Sequence, residues 1–276
     1  MFTKNNDINS DLNEHILKSR KNINLYRRAI NLFLSRIRWD LKLESWRSRK
    51  KMNVLKNIFL GQKAVILCNG PSLLKSDFQL LKDVYCFGLN KINLLFEKSN
   101  FRPNSIVAVN SYVIEQNENF YNETEIPLFL DSSASASKKI KSRKNITFLH
   151  SSPYGFARDC SLSINQGYTV TYAALQLAFH MGFREIALIG ADHNYATKGP
   201  ANKLAVAEKI DESHFDPKYF SDGMKWELPD LLQSEVSYTL ARDVYKAFGG
   251  KVVNATEGGY LEVFERQSLR KFIEKS

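Results

Sequence analysis

The residues best suited to ligand chemistry in this sequence are amides and hydroxyls at the ends of predicted strands. Asn69, Gly70 and Ser72 follow the first strand, and Asn90 and Asn110 follow the next two. In an open parallel sheet the carboxyl ends of neighbouring strands face one crevice. Uncharged amides there suit a sugar or a nucleobase, and exposed N–H groups at a tight turn suit a phosphate. A turn with a helix cap explains the first segment equally well.

A second polar cluster follows the sixth predicted strand at Asp192, His193, Asn194 and Tyr195. A histidine in such a crevice can act as a general base near neutral pH. Asp192 would orient that base or contact a ligand hydroxyl, and a loop network of satisfied hydrogen bonds is the alternative interpretation. Because amides rather than carboxylates end the first three strands, a dedicated Mg²⁺ site there is disfavoured.

Residues 190–229 form a long polar stretch without clear periodicity, which is typical of an active-site lid or of a disordered loop. The aromatic residues of this stretch argue against disorder. It contains His214, a second candidate for the general base, and Tyr219, a candidate donor to a phosphate. A surface position without a catalytic role is the alternative for this histidine.

Two further segments place polar groups near the same crevice. Thr169 and Thr171 begin a predicted helix whose N-terminal N–H groups and dipole suit a phosphate. Asn254 follows the last strand and precedes Gly258-Gly259, a pair that most simply makes a turn. We regard Thr169, Thr171 and Asn254 as candidate binding residues.

Short apolar runs alternate with helical patterns from Lys63 onward. This predicts an α/β fold, a Rossmann-like and mainly parallel sheet flanked by helices. The predicted strands cover residues 64–68, 84–88, 105–109, 127–130, 146–149, 186–189 and 251–253. The predicted helices cover residues 92–98, 111–119, 171–181, 231–248 and 269–275. The cysteines lack zinc-ligand spacing and are expected to be buried thiols in a reducing compartment: Cys68, Cys86 and Cys160.

The basic charge of the chain lies at its N-terminal end. Residues 1–60 contain 14 Lys/Arg against 5 Asp/Glu, whereas the whole chain has a net charge of +10. This argues against a basic groove in the main domain, and so against nucleic acid. We therefore predict a basic amphipathic helical arm over 1–60 and a Rossmann-like domain over 61–276. The arm would pack on the domain, meet an anionic membrane surface through residues 12–58, or bind a partner.

Several segments make the sequence resemble a known family, the MptE-like domain family. The matching pieces are CNGPSL at 68–73, Asn90 and Asn110 after their strands, and TVTYAALQLAFHMGFREIALIGADHNY at 169–195. The lid at 212–230 and NATEGG at 254–259 resemble the surface-polysaccharide branch of that family. That family is related in fold to the CMP-dependent sialyltransferases of glycosyltransferase family 42 and to the flagellin glycosyltransferases called motility-associated factors. The resemblance covers about residues 60–265.

The resemblance implies a Rossmann-like glycosyltransferase that uses a CMP-activated keto sugar acid. It implies a nucleotide–sugar site at Asn69, Ser72, Asn90 and Asn110. A lid histidine, matched to His214, would deprotonate the acceptor hydroxyl for an inverting displacement. Lid tyrosines would donate to the leaving phosphate, and no cofactor or metal would be needed. Asn194 stands at the family's tyrosine position, and Tyr195 follows it.

We therefore expect a glycosyltransferase that moves a sugar from a nucleotide-sugar donor to a glycan or lipid-linked acceptor. His214 or His193 would be the base, Asp192 its orienter, and Tyr219 or Tyr195 the phosphate donor. The alternatives are an ATP-dependent diphosphokinase that needs Mg²⁺ and acts on a pterin-like alcohol, and an inactive sugar-nucleotide-binding protein. No apolar run reaches the roughly 18 residues of a membrane span. We expect a cytoplasmic protein, peripheral on the inner membrane face if the arm binds lipid.

Overall fold

A computed structural model describes residues 24–137, 139–153, 155–194, 201–207, 211–220 and 223–274 of the chain. Two compact units divide between Lys42 and Leu43. The first unit contains α1 (Leu25–Asp40), which begins where the Asn24 side chain accepts a hydrogen bond from the Arg27 N–H at 3.0 Å. The part of the predicted arm before residue 24 lies outside the described residues. Membrane contact by the arm stays a prediction.

The second unit contains a parallel sheet. Its described strands are β1 (Lys63–Leu67), β2 (Tyr85–Leu89), β3 (Ser105–Ala108), β4 (Leu128–Asp131), β5 (Ile146–Leu149), β8 (Glu185–Ile189), β11 (Lys251–Asn254) and β12 (Glu265–Arg266). The order across this eight-stranded sheet is β12-β11-β8-β1-β2-β3-β4-β5. Two short pairs lie outside it, the parallel β6 (Ser151–Ser152) with β7 (Ile164–Asn165) and the antiparallel β9 (Leu204–Val206) with β10 (Lys225–Glu227). The predicted α/β, Rossmann-like class is confirmed.

Helices flank the sheet. They are α2 (Leu43–Leu55), α3 (Ser111–Gln116), α4 (Glu118–Glu123), α5 (Ser133–Ala136), α6 (Val170–Met181), α7 (Leu231–Ala247) and α8 (Leu269–Glu274), with 3-10 helices at Pro71–Lys75, Phe78–Leu81 and Ile92–Glu97. Among the described residues, no helix is both long enough and apolar enough to cross a membrane.

Two predicted helices differ in the structure. The segment predicted as helix 92–98 is the 3-10 helix Ile92–Glu97, which has no capping side chain at its start. The predicted helix 111–119 divides into α3 and α4 at Asn117, whose side chain donates to Asn93 Oδ1 at 2.9 Å. The pattern also missed the short β9–β10 hairpin within the predicted lid. Strands of three residues are too short to show a period.

The connectivity of the sheet creates one natural ligand crevice. From β1 the chain runs outward through β2, β3, β4 and β5, and it then crosses back to β8 on the other side of β1. The order therefore reverses between β1 and β8. Ligands of open parallel sheets bind beyond the carboxyl ends of the strands at such a reversal.

The central helix α6 is buried on nearly all sides, and its histidine joins it to α2. His180 Nδ1 accepts the Cys160 N–H at 3.2 Å, and Nε2 lies 2.8 Å from the Met52 carbonyl oxygen. A neutral ring with its proton on Nε2 satisfies both contacts. Burial lowers the pKa of His180, although the Met52 contact opposes this. His180 is therefore a structural residue of the core.

The burial of His180 predicts acid sensitivity of the fold. In the unfolded chain this histidine titrates near its ordinary pKa of 6.5, whereas the folded protein keeps it neutral to lower pH. Stability should therefore fall as the pH drops below about 6.5, by at most about 1.4 kcal/mol between pH 7.5 and 5.5 from this group. Urea unfolding at both pH values, on the wild type and on His180→Gln, measures it. An equal pH dependence in both proteins would contradict this account.

Candidate functional site

The loops after β1 and β8 are joined by a carboxylate. Asp192 Oδ2 accepts the Ser72 hydroxyl at 2.6 Å and the Ser72 N–H at 3.2 Å, and Gly70 N donates to the Gly190 carbonyl at 2.9 Å. A Cβ on Gly70 would lie 2.0 Å from Asp192 Oδ2. A glycine is therefore required where the two loops meet.

A cavity opens beside this joint, at the reversal point of the sheet. It brings together most of the predicted site residues: Asn69, Gly70, Asn90, Thr169, Thr171, Asp192, His193, Asn194, His214 and Tyr219. Cys68, Tyr238 and Leu261 are among the other lining residues. These residues come from five separate segments of the sequence, so their convergence is a result of the topology.

Two amide side chains face the cavity with unused acceptors. Asn69 Nδ2 donates to the Tyr219 hydroxyl at 3.2 Å, while its Oδ1 is buried without a partner among the described residues. Asn90 Oδ1 is likewise buried without a partner among the described residues. The backbone of Asn90 has a φ of 48°, in the left-handed region. Buried acceptors without partners are costly. They suit a ligand that brings N–H or O–H donors.

The loop of residues 211–220, here the His214 loop, covers the cavity. His214 Nδ1 lies 2.7 Å from Asp211 Oδ2, and its ring stacks on Tyr219 with centroids 3.9 Å apart. Burial raises the pKa of Asp211, but hydrogen bonds from His214, Ser213 and Phe220 outweigh it and the pKa falls below its ordinary value. The carboxylate fixes the Nδ1 proton and leaves the basic lone pair on Nε2, which is the arrangement of a general base.

A second histidine lines the cavity from the β8 side. His193 Nε2 lies 3.0 Å from Glu235 Oε1 on α7, and His193 has a φ of 53°. Strained backbone of this kind clusters at functional sites. Each histidine thus has its own carboxylate, and Asp192, which was predicted to orient the base, instead contacts Ser72.

The start of α6 faces the cavity as well. Thr169 caps the helix by accepting the Thr171 N–H at 3.3 Å, and its hydroxyl lies 3.2 Å from that of Tyr238. The helix N-terminus has a positive dipole end that suits an anion. Thr171 Oγ1 lies 3.5 Å from Cys68 Sγ, and burial raises the pKa of Cys68 to about 12.

Comparison with known proteins agrees with this architecture. The family model described as "6-hydroxymethylpterin diphosphokinase MptE-like" matches residues 40–198, more than half of the chain. The chain belongs to the MptE-like family. No curated protein matches it. A solved structure, the MAf glycosyltransferase from Magnetospirillum magneticum AMB-1, is similar in fold with a TM-score of 0.50 and 15% identity. The match covers 83% of this chain and 39% of that one.

The segment that matches the MptE-like model includes some of the residues that line the cavity and does not include the His214 loop. Asn69, Asn90, Thr169 and His193 lie within residues 40–198, whereas the His214 loop follows the matched segment. The strand ends and the start of α6 that line the cavity thus lie within the matched segment. The candidate base on the loop comes from sequence beyond it.

Several predicted residues lie away from the cavity. The Ser72 hydroxyl donates to Asp192, and Asn110 caps α3 by accepting the Tyr112 N–H at 2.9 Å. Asn254 is buried in its own turn, where Nδ2 donates to the Leu261 carbonyl at 2.8 Å. These three side chains hold loops in place. Tyr195 lies outside the described residues.

Three side chains that contact the candidate residues or their loop were not predicted from the sequence. Asp211 stands three residues before His214, a spacing that could have suggested the pair. Lys91 directly follows Asn90 and is buried under the His214 loop. Glu235 gives no local signal, because its contact with His193 spans 42 residues. Within the described ranges, no group of three His, Cys, Asp or Glu residues is placed to hold a metal ion.

The Ser72–Asp192 contact predicts a measurable coupling. Ser72→Ala and Asp192→Asn should each destabilise the fold, and the double variant should lose less than the sum. A coupling of about 1–2 kcal/mol is expected for hydrogen bonds to a carboxylate. Urea unfolding of the four proteins gives this number. The control pair is Ser72→Ala with Asp230→Asn, a substitution at the cap of α7. The losses of stability of this pair should be additive. Equal coupling energies for the two pairs would refute the Ser72–Asp192 coupling.

Proposed function

We propose that this protein is a glycosyltransferase that uses a CMP-activated keto sugar acid and a glycan or lipid-linked acceptor. The observation that supports this best is the His214–Asp211 pair stacked on Tyr219 over the cavity. Such a pair removes a proton from a hydroxyl group. The fold neighbour is titled a glycosyltransferase, which supports the same reaction class.

The proposed reaction is a single displacement. His214 Nε2 takes the proton of the acceptor hydroxyl while the hydroxyl oxygen attacks the anomeric carbon of the donor sugar. The bond from that carbon to the CMP phosphate oxygen breaks, and the electron pair stays on the phosphate. The N-terminus of α6 and the Tyr219 hydroxyl, both at the cavity, would stabilise this developing charge.

The base of the nucleotide would have to supply donors to the unused acceptors of the cavity, the Oδ1 atoms of Asn69 and Asn90. The exocyclic amino group of cytosine has two N–H donors, whereas uracil has the single N–H at N3. The amides therefore support a cytidine nucleotide over a uridine nucleotide.

A second candidate is a diphosphokinase, favoured by the description of the family model. The same histidine would then deprotonate a pterin-like alcohol for attack on a phosphorus atom of ATP, with Mg²⁺ on the phosphates. Both candidates need a base for a hydroxyl. They differ in the nucleotide and in the need for Mg²⁺.

Thermal unfolding with nucleotides separates these candidates. A ligand that binds only the folded state raises its melting temperature. We expect a shift with CMP, without Mg²⁺, that exceeds the shift with UMP. Asn69→Ala and Asn90→Ala should reduce it, whereas Asn110→Ala, which removes an amide outside the cavity, should keep it. A shift with ATP that requires Mg²⁺ would instead favour the diphosphokinase.

Removal of the base should affect the chemical step. His214→Ala is expected to lower kcat by about 10²–10⁴-fold with a much smaller change in the KM for the donor. Asp211→Asn should lower kcat in the same direction. His193→Ala is the matched control on the opposite wall. If His193→Ala is inactive and His214→Ala is not, the base has been assigned to the wrong histidine.

A further inference from the structure

Two lysines bracket the 3-10 helix after β2, and both contact the His214 loop. Lys91 Nζ donates to the Tyr219 carbonyl oxygen at 2.6 Å. Lys98 Nζ lies 2.8 Å from Asp216 Oδ2 and donates to the Phe215 carbonyl at 3.2 Å. The two lysines thus attach the loop to this segment at two places, with different chemistry at each.

Lys91 is the buried member of this pair. Lys91 is buried, with 4% of the whole residue exposed, whereas the side chain of Lys98 is 35% exposed. Besides Tyr219, its Nζ has Gln116 Oε1 on α3 at 2.8 Å and Met224 Sδ at 3.5 Å. An ammonium group has three donors, and these three acceptors use them all.

Two aromatic rings complete the surroundings of Lys91. Its Nζ lies 5.4 Å from the ring centroid of Tyr219 and 4.9 Å from that of Phe220. Ring faces attract a cation, and more strongly when water is excluded. Both rings also contact His214, by the stack with Tyr219 and by an edge contact with Phe220 at 5.3 Å between centroids. Lys91 and His214 are thus linked through the same two rings.

We propose that Lys91 is a positioning residue, whose charged ammonium group fixes the Tyr219–Phe220 segment and so holds His214 over the cavity. The expected effect on activity rests on the proposed function, whereas the attachment of the loop does not. The contact at Tyr219 fixes the backbone, and the cation–π contacts fix the rings. A shift of the base by about 1 Å is enough to cost roughly 100-fold in rate.

The ammonium form is required for this role. A neutral amine has two N–H donors for three acceptors and no attraction to the rings. Burial lowers the pKa of Lys91 to about 8, and the negative charge of Asp211 opposes this. Gln116 and Met224, the contacts outside the His214 loop, are uncharged. The charge that holds the loop is therefore present at neutral pH and lost above about pH 8.

Substitution of each lysine tests the proposal. Lys91→Met should lower kcat by about 100-fold at pH 7.5, with a smaller change in the KM for the donor. Lys98→Met, the control at the other attachment, should lower it less than about 5-fold. Lys91→Arg should recover most of the activity and keep it at pH 9.5, where the wild type declines, because arginine stays charged. Equal kcat values for Lys91→Met and Lys98→Met would overturn the proposal.

A second measurement needs no activity. Hydrogen exchange in residues 211–220 of the wild type, corrected for the intrinsic effect of pH, should speed up between pH 7 and 9. Lys91→Met should exchange fast at both pH values, and Lys98→Met should keep the pH response. Unchanged exchange in the wild type would refute Lys91 as the attachment. Absence of transferase activity together with the expected exchange would refute the proposed function alone.

Discussion

Asp192 accepts two hydrogen bonds from Ser72, and this contact holds together the two loops from which the cavity is built. It joins the ends of β1 and β8, the two strands at which the order of the sheet reverses. Ala191 N donates to Thr256 Oγ1 at 3.0 Å, so the loop after β11 holds the same segment from the other side. Asp192 therefore has a structural role. Its hydrogen bonds fix the loop after β1, from which Asn69 presents its amide to the cavity.

The cavity combines a floor with the His214 loop, whose Phe215, Tyr219 and Phe220 are buried. The floor consists of strand ends and the start of α6, whose backbone groups are hydrogen-bonded within the sheet and the helix. The His214 loop contacts this floor at Asn69, whose carbonyl accepts the Phe215 N–H at 2.9 Å and whose Nδ2 donates to the Tyr219 hydroxyl at 3.2 Å. Lys91 and Lys98, on either side of the 3-10 helix after β2, donate to carbonyl groups of the same loop. The loop thus depends on tertiary contacts for its position, whereas the strand ends are held by the ladder of the sheet.

The sequence predicted the strands and most of the floor because both depend on local patterns. Apolar runs identify parallel strands, and residues that follow them share one edge of the sheet. The same reasoning misplaced Asn110 and Asn254, since an asparagine after a strand has one appearance whether it caps a helix, closes a turn or faces a ligand. The partners of the histidines and the role of Lys91 depend on tertiary contacts, which no single-sequence pattern contains.

Cys68 adds a consequence for the chemical resistance of this cavity. Its thiol lines the cavity next to Thr171, and its pKa of about 12 keeps it protonated. Electrophiles and peroxides react with thiolates rather than thiols. A sulfur atom in the wall of the cavity therefore adds soft, apolar surface without making the site vulnerable to alkylation or oxidation.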